Sequence, residues 1–267
     1  MTAACHALVL AASRPQDPLA RHAGKSHKAL VRVAGDAMLL RVLRALRQSR
    51  GVGPIAVCLE ADAPVAGAEP ELDRLVADGA VTLIAAAASP AQSVLRALEI
   101  LPLPLLVTTA DHPLLSAAMV ESFCAAAPAD AAAAVAVVRA SLLQQRYRDA
   151  VRTYYRFAGE GYSGCNLFLL RSPEAPRAVR FWAGLERHRK QPWRLVASVG
   201  PLALLRFLLG RLSLDGAMRH LSAKAGATIR AVELPFPEAA IDVDKPADLE
   251  LAEKILARRA AAGQGGR

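Results

Sequence analysis

The sequence predicts an α/β protein with a mostly parallel sheet between layers of helix, and three observations predict it. From residue 7 to 138, short apolar runs alternate with helical patterns of about ten residues. Hydrophobic residues make up 54% of the chain but aromatics only 4%, so the core is built from Ala, Leu and Val, which suits helix–sheet layers better than an all-β sandwich. With 267 residues and 21% charged, the chain holds enough apolar material for one large domain and excludes disorder.

Residues 7–12 form a run that ends in small residues, as in a buried parallel strand. A loop with two prolines and a glycine follows from Ser13 to Ser26. Met38 to Arg50 reads as an amphipathic helix, with Leu39, Val42, Leu43 and Leu46 on one face and Arg41, Arg44 and Arg47 on the other. Strands are expected at 54–59, 81–84, 105–109 and 133–138, and helices at 71–78, 90–98 and 119–126. Ser89 and Pro90 supply the cap and first turn of the helix that follows the third strand. Beyond residue 150 the rhythm changes. Strands at 153–157 and 167–170 flank an expected loop at Gly159–Asn166, and 174–226 reads as helical throughout. A strand at 229–234 and a helix from about Ala247 to Arg259 close the pattern, with 260–267 expected as a frayed Gly/Ala tail. The whole is one domain, 1–267, with 174–226 inserted in it.

Charge and cysteine usage narrow the classes. The net charge is +9, and all of the excess lies between Arg146 and Arg230, where 16 Lys/Arg face 5 Asp/Glu. Such a field favours anionic partners or is a solvated Arg-rich face. No zinc-finger spacing, basic zipper or aromatic RNA-binding strand accompanies it, so nucleic acid is not expected as a partner. Cys5, Cys58, Cys124 and Cys165 are too far apart for a Cys-x-x-Cys site and fit reduced thiols in a cytoplasm. No apolar run is long enough to span a bilayer, and no basic region precedes the first strand, so no leader is expected.

In parallel α/β sheets, ligands bind at the carboxyl ends of strands. Four groups of residues fall there. Leu10, Ala11, Ala12, Ser13 and Arg14 lead on to Lys28: small residues let the backbone approach a ligand, and Arg14 and Lys28 bring charge for phosphates. Thr109-Ala110-Asp111-His112-Pro113 sets a carboxylate just past the fourth strand. Gly161-Tyr162-Ser163-Gly164-Cys165-Asn166 is polar with two glycines. Ile241-Asp242-Val243-Asp244-Lys245-Pro246-Ala247-Asp248-Leu249 carries two carboxylates ahead of the last helix. Each has a plainer reading, as turn former or helix cap. His27 and His112 read as structural. A serine-hydrolase elbow is excluded by Cys165, and no Gly-x-Gly-x-x-Gly or P-loop is present.

In this order the groups resemble the MobA-like nucleotidyltransferases, a branch of the GT-A-like superfamily. The resemblance covers 5–172 and 229–258 and is anchored by Leu10-Ala11-Ala12 with Lys28-Ala29-Leu30, by Thr109 to Leu115, and by Asp242 to Leu249. It implies a GT-A-like fold and Mg²⁺-dependent transfer of NMP from CTP or GTP to a phosphorylated sugar, polyol or cofactor, lipid-headgroup precursors included, with release of pyrophosphate. Carried over residue by residue, Lys28, Arg14 and Asp111 become catalytic, and Asp111 and Asp244 the metal pair, with Asp242 an alternative to Asp244. The nucleotide falls to Leu10, Ala11, Ala12, Ser13, Arg14, Lys28 and Asp111, joined by Ser89 and Ser93. Apart from the resemblance, the polar loop is expected to face the same crevice and offers Tyr162, Ser163, Gly164 and Asn166 for the acceptor. The family loop has glycine where this chain has Ala12 or Ser13, and its arginine stands nearer its lysine, so Arg14, Arg21 and Lys25 compete for that role. A GT-A glycosyltransferase or a non-catalytic nucleotide-binding protein are the competing functions. The segment 187–211, with Trp193 and several arginines beside apolar residues, reads either as helical packing on the sheet or as a contact to the anionic inner face of a membrane.

Overall fold

In the computed structural model, which describes residues 5–65, 67–185, 205–207 and 209–264, strands and helices alternate as the pattern implies. β1 (Cys5–Leu10) is followed by a short helix, α1 (Pro18–His22), a 3-10 turn at Lys28–Leu30, and a small hairpin of β2 (Arg32–Val33) and β3 (Asp36–Ala37). Next come α2 (Met38–Gln48), β4 (Val52–Leu59), α3 (Pro70–Ala77), β5 (Val81–Ala85), α4 (Pro90–Ala97), β6 (Leu105–Thr109) and α5 (Ala117–Ala126). They are followed by β7 (Ala133–Arg139), α6 (Ala140–Arg146), β8 (Tyr155–Phe157), β9 (Glu160–Leu170) and α7 (Ala175–Leu185). α8 (Leu214–Ala225), β10 (Ile229–Glu233), a 3-10 turn at Pro237–Ala240 and α9 (Pro246–Gln264) complete the chain.

The main sheet has the order β10-β7-β9-β6-β1-β4-β5, with β8 paired to the outer part of β9. All neighbours on that path are parallel except β9, which runs antiparallel to both β6 and β7. β1 lies between β6 and β4, and Ala7, Leu8 and Val9 are fully buried, which is why its sequence shows no polar alternation. Helices cover both faces. Buried residues of α2, α5 and α9 pack on one side of the sheet and those of α4, α7 and α8 on the other. In α2 the predicted stripe of Leu39, Val42, Leu43 and Leu46 is buried, each side chain contributing about 1.5–3 kcal/mol. On its outer side Arg41 and Arg44 pair with Asp36, and Arg44 also with Glu71.

Four local expectations differ from the structure. The stretch Gly159–Asn166 is not a loop: β9 starts at Glu160, and Tyr162, Ser163 and Gly164 pair with Arg139, Val138 and Val137. Its glycines suggest a turn, yet Gly161 is there for a close approach, since a Cβ on it would lie 2.9 Å from the Ala140 Cβ. The Ser13–Ser26 loop contains α1, nucleated by the Asp17 carboxylate, which accepts from Leu19 and Ala20 N–H, with Pro18 in the first turn. Helix α6 also forms where none is expected. Finally, α9 runs past Arg259 to Gln264, where Ala260, Ala261 and Ala262 are strong helix formers, so 260–264 are helix rather than tail, and 265–267 lie outside the described residues. Within 174–226, α7 and α8 are helical. Residues 186–204, which hold most of the 187–211 segment, lie outside the described residues. Among the described residues no helix is long and apolar enough to cross a membrane.

Candidate active site

The chain reverses its direction of strand addition at β1: β4 and β5 add on one side, β6 on the other. A crevice opens where two loops diverge at such a point. The loops after β1 and β6 leave side by side, with Leu10 in register with Thr109 and the Ala110 N–H donating to the Leu10 carbonyl at 2.9 Å. On the other flank the Ala11 N–H donates to the Cys58 carbonyl, also at 2.9 Å. Ala11 is buried, Ala12 and Arg14 are exposed, and Ser13 is half-buried, so a short stretch of this loop is open to solvent.

Glu60, the residue after β4, organises this loop. Its Oε1 accepts the Ser13 N–H at 2.5 Å, and its Oε2 lies 3.2 Å from the His27 Nε2. The His27 Nδ1 accepts the Ala29 N–H at 3.1 Å, which leaves Nε2 as the protonated nitrogen that donates to Glu60. One carboxylate thus ties the loop after β1 to the turn that carries Lys28.

Lys28 is the centre of the site. Its Nζ donates to the Asp111 Oδ2 at 2.7 Å and also to the Asp244 Oδ1. Burial disfavours the ammonium, but the charges of Asp111 and Asp244 more than reverse that, and its pKa is raised. Asp111 is fixed by Thr109, whose hydroxyl donates to Oδ1 at 2.6 Å, and its carbonyl accepts the Val243 N–H at 2.8 Å. That backbone bond brings the Asp242–Asp244 segment against the end of β6. Asp111 and Asp244 are therefore the carboxylates placed to share a cation, since the Lys28 ammonium already sits between them. Among the described residues no three His, Cys, Asp or Glu side chains form a cage for a metal. The pair fits Mg²⁺ nonetheless, because that ion is held through one or two carboxylates and completed by substrate phosphates and water.

Asp242 has a different job. Its carboxylate is paired with Arg152 at 3.0 Å and accepts from the Asn166 Nδ2 at 3.1 Å, while its carbonyl accepts from Arg152 at 2.8 Å. Arg152 also pairs with Asp248 at 3.2 Å, and Asp248 accepts the N–H groups of Asp244 and Lys245 at the start of α9. Burial, reinforced by the nearby Asp111 charge, pushes the Asp242 carboxyl up to about 6 against the pull of Arg152. Next to Asp111, His112 is fully buried, and that burial pushes its imidazole down to about 4, so it stays neutral. The structure places Asp244 with Lys28 and Asp111, and Asp242 in a frame with Arg152, Asp248 and Asn166.

A cavity of about 1160 Å³ adjoins this centre through Asp244 and is lined by Tyr162, Ser163, Gly164 and Asn166 together with Asp242. Residues 165–167 lie opposite Ala136 in a bulge of β9, with Val135 paired to Phe168 and Val137 to Gly164. Asn166 sits in that bulge at φ 48°, and its side chain reaches Asp242. Ser89 and Ser93 are engaged elsewhere. The Ser89 hydroxyl caps α4 by accepting the Gln92 N–H, and Ser93 is buried with its hydroxyl accepting the Ala87 N–H at 2.9 Å. Arg21 is exposed on α1 and Lys25 half-buried after it. Glu60, Thr109, Arg152 and Asp248 were not singled out as site residues by the sequence reading. Glu60 and Thr109 stand at strand ends where the strand-end rule points, whereas Arg152 lies in irregular chain with no local signal.

Comparison with known proteins bears on the family and the fold. Residues 7–223 match the model of the MobA-like NTP transferase domain. A hypothetical transferase from Thermus thermophilus superposes with a TM-score of 0.74 at 29% identity, over 92% of this chain and 99% of that one. The CTP:phosphocholine cytidylyltransferase of Streptococcus pneumoniae superposes with a TM-score of 0.55 at 15% identity, over 94% and 99%. A CMP:2-keto-3-deoxy-manno-octonic acid synthetase in complex with CTP gives 0.55 at 14%, over 96% and 99%. No curated protein sequence matches the chain.

Proposed function

The chain belongs to the MobA-like NTP transferase family, and from that premise we propose that it is an Mg²⁺-dependent nucleotidyltransferase that joins an NMP group from CTP or GTP to a phosphorylated small molecule. The observation that carries the proposal is Lys28 held between Asp111 and Asp244 at the crevice beside the loop after β1.

In the reaction, a phosphate oxygen of the acceptor forms a bond to the α-phosphorus of the NTP. The bond from that phosphorus to the α,β-bridging oxygen breaks, and its electron pair leaves on pyrophosphate. The chain supplies position and charge rather than a covalent intermediate. Ala11, Ala12 and Ser13 let the phosphates approach the backbone, and Glu60 holds that loop in place. Lys28, with Arg14 at the exposed edge, offsets the charge of the departing pyrophosphate. Asp111 and Asp244 would hold the Mg²⁺, which when bound offsets phosphate charge and makes the α-phosphorus more electrophilic. Thr109 and the Val243 N–H keep Asp111 aimed at the crevice. Tyr162, Ser163, Gly164 and Asn166 would receive the acceptor on the far side of Asp244.

CTP is the donor to try first, because two of the structural relatives are cytidine-nucleotide enzymes by name. The test is pyrophosphate release with CTP, GTP, ATP and UTP against sugar, polyol and alkyl phosphates, with and without Mg²⁺. Release that needs one NTP, an acceptor and the metal is the expected result. Absence of release from every pairing, with no NTP binding by calorimetry, would remove the reading.

A further inference from the structure

The cavity beside Asp244 is lined by charged residues of both signs, Arg146, Arg148, Asp149, Lys245 and Glu250 among them. The sheet face that carries the second core cluster adds Val135 and Val137 of β7, Phe157 of β8, and Tyr162 and Phe168 of β9 to the lining, all half-buried. Met218 and Leu221 of α8 and Trp182 of α7, which is 43% exposed, line the same space. Phe157 packs against Tyr162 at a tilt and against Phe207 edge to face, with ring centroids 6.3 and 6.2 Å apart, so aromatic contacts hold this face in place. Gly164 stands in the middle of it, exposed, with nothing within 4 Å of where a Cβ would be. The face is therefore an apolar shelf with a gap at Gly164, in the same cavity that Asp242 and Asp244 line.

A sugar or polyol phosphate laid over this sheet face would set its hydroxyls against carbon, and unpaired hydroxyls are costly to desolvate. A hydrocarbon body loses nothing on the same surface. We propose that the acceptor is amphipathic: a phosphate directed to the reaction centre, carrying an alkyl, prenyl or comparable apolar body that lies over Gly164 between β7, β9 and α8. The proposal rests on the nucleotidyl-transfer reading for the role of that phosphate. The volume of about 1160 Å³ is at the upper end of small-molecule sites and accommodates such a body.

The test uses the full chain with Trp193→Phe, which leaves Trp182 as the only tryptophan of the two. Trp182 emission is titrated with butyl, hexyl and octyl phosphate and with glycerol 3-phosphate, and pyrophosphate release from CTP is followed with the same four. Each buried methylene tightens binding by up to about fourfold. Octyl phosphate is therefore expected to bind at least about tenfold more tightly than butyl phosphate, and to be the better acceptor by KM. Gly164→Leu, which fills the gap without a backbone penalty, is expected to flatten the series while its thermal midpoint stays near that of the parent. A flat series in the parent, with pyrophosphate released from glycerol 3-phosphate, overturns the apolar body and leaves nucleotidyl transfer standing. A steep series with no pyrophosphate from any NTP overturns the acceptor role, and the parent reading with it.

Discussion

At the scale of single residues, the site is a set of charges that hold one another in place. Lys28 lies between Asp111 and Asp244, and Arg152 between Asp242 and Asp248. The two triads share a segment but differ at one carboxylate: the Asp244 side chain is 56% exposed, whereas Asp242 is 29% and Asp248 13% exposed. An exposed carboxylate can exchange its partner for an incoming ligand at little cost. A buried pair that loses one member leaves an uncompensated charge. This difference separates Asp244 from Asp242, which look alike in sequence, while Asp111, at 21% exposed, is set apart by its contact with Lys28. Asp111→Asn and Asp244→Asn are expected to cut turnover on the order of 10²-fold or more with the fold intact, and the double variant to be little worse than either single one. Asp242→Asn is expected to shift the urea midpoint instead and to keep most of its turnover. Steady-state rates and denaturation curves on the four proteins decide it. Near-parental turnover in Asp244→Asn would move the metal role to Asp242.

At the scale of elements, apolar runs made most strands and helices legible. β6 falls on the expected residues, and α2, α4, β4, β5 and β7 differ from expectation by one or two residues at their ends. Buried parallel strands and amphipathic helices differ in period, and that period survives in the sequence. What the pattern did not show were elements set by contact rather than period. The upper half of β9 contains Gly161 and Gly164, residues that read as a turn, yet β7 and β8 supply its hydrogen bonds. The bulge at 165–167 that aims Asn166 at Asp242 depends on where β7 pairs, and no local signal reports it. The candidate site was legible in part. Lys28, Asp111 and Asp244 fall in the loops where the strand-end rule looks for a ligand, and the structure brings their side chains together, while Arg152 acquires its partners only from the tertiary fold. Gly161→Ala tests the contact argument for β9. Its Cβ would meet the Ala140 Cβ at 2.9 Å, a strand and a helix start that cannot both give way, so stability should fall by about 1–3 kcal/mol. The expected signature is a lower urea midpoint with an unchanged slope; an unaltered midpoint would show that the two backbones yield freely.

At the scale of the whole molecule, the proposed nucleotide site draws on pieces far apart in the chain. Ser13 follows β1, Lys28 sits on a 3-10 turn, Glu60 follows β4, Asp111 follows β6, and Asp244 precedes α9. A ligand that touches all of them binds only the folded state, because the unfolded chain does not bring them together. Binding then adds RT ln(1 + [L]/Kd) to the apparent stability, about 2.7 kcal/mol at a hundredfold excess over Kd. For a chain of this size that corresponds to a rise in the thermal midpoint of about 5–10 °C. CTP or GTP with Mg²⁺ is expected to produce such a shift and to show saturation, and excess chelator to reduce it sharply. Removing the metal from the same sample isolates its contribution, since no side chain is altered. Asp111→Asn should have its own midpoint but respond little to nucleotide, because the cation that joins triphosphate to protein has lost a ligand. Lys28→Ala should respond weakly for a different reason, the loss of fixed charge on the phosphates, and its weaker shift should persist in chelator to the same fraction as in the parent. An undiminished shift in chelator, or in Asp111→Asn, would mean that the triphosphate is held by the loop and Lys28 alone, and the metal pair would have no part in nucleotide binding.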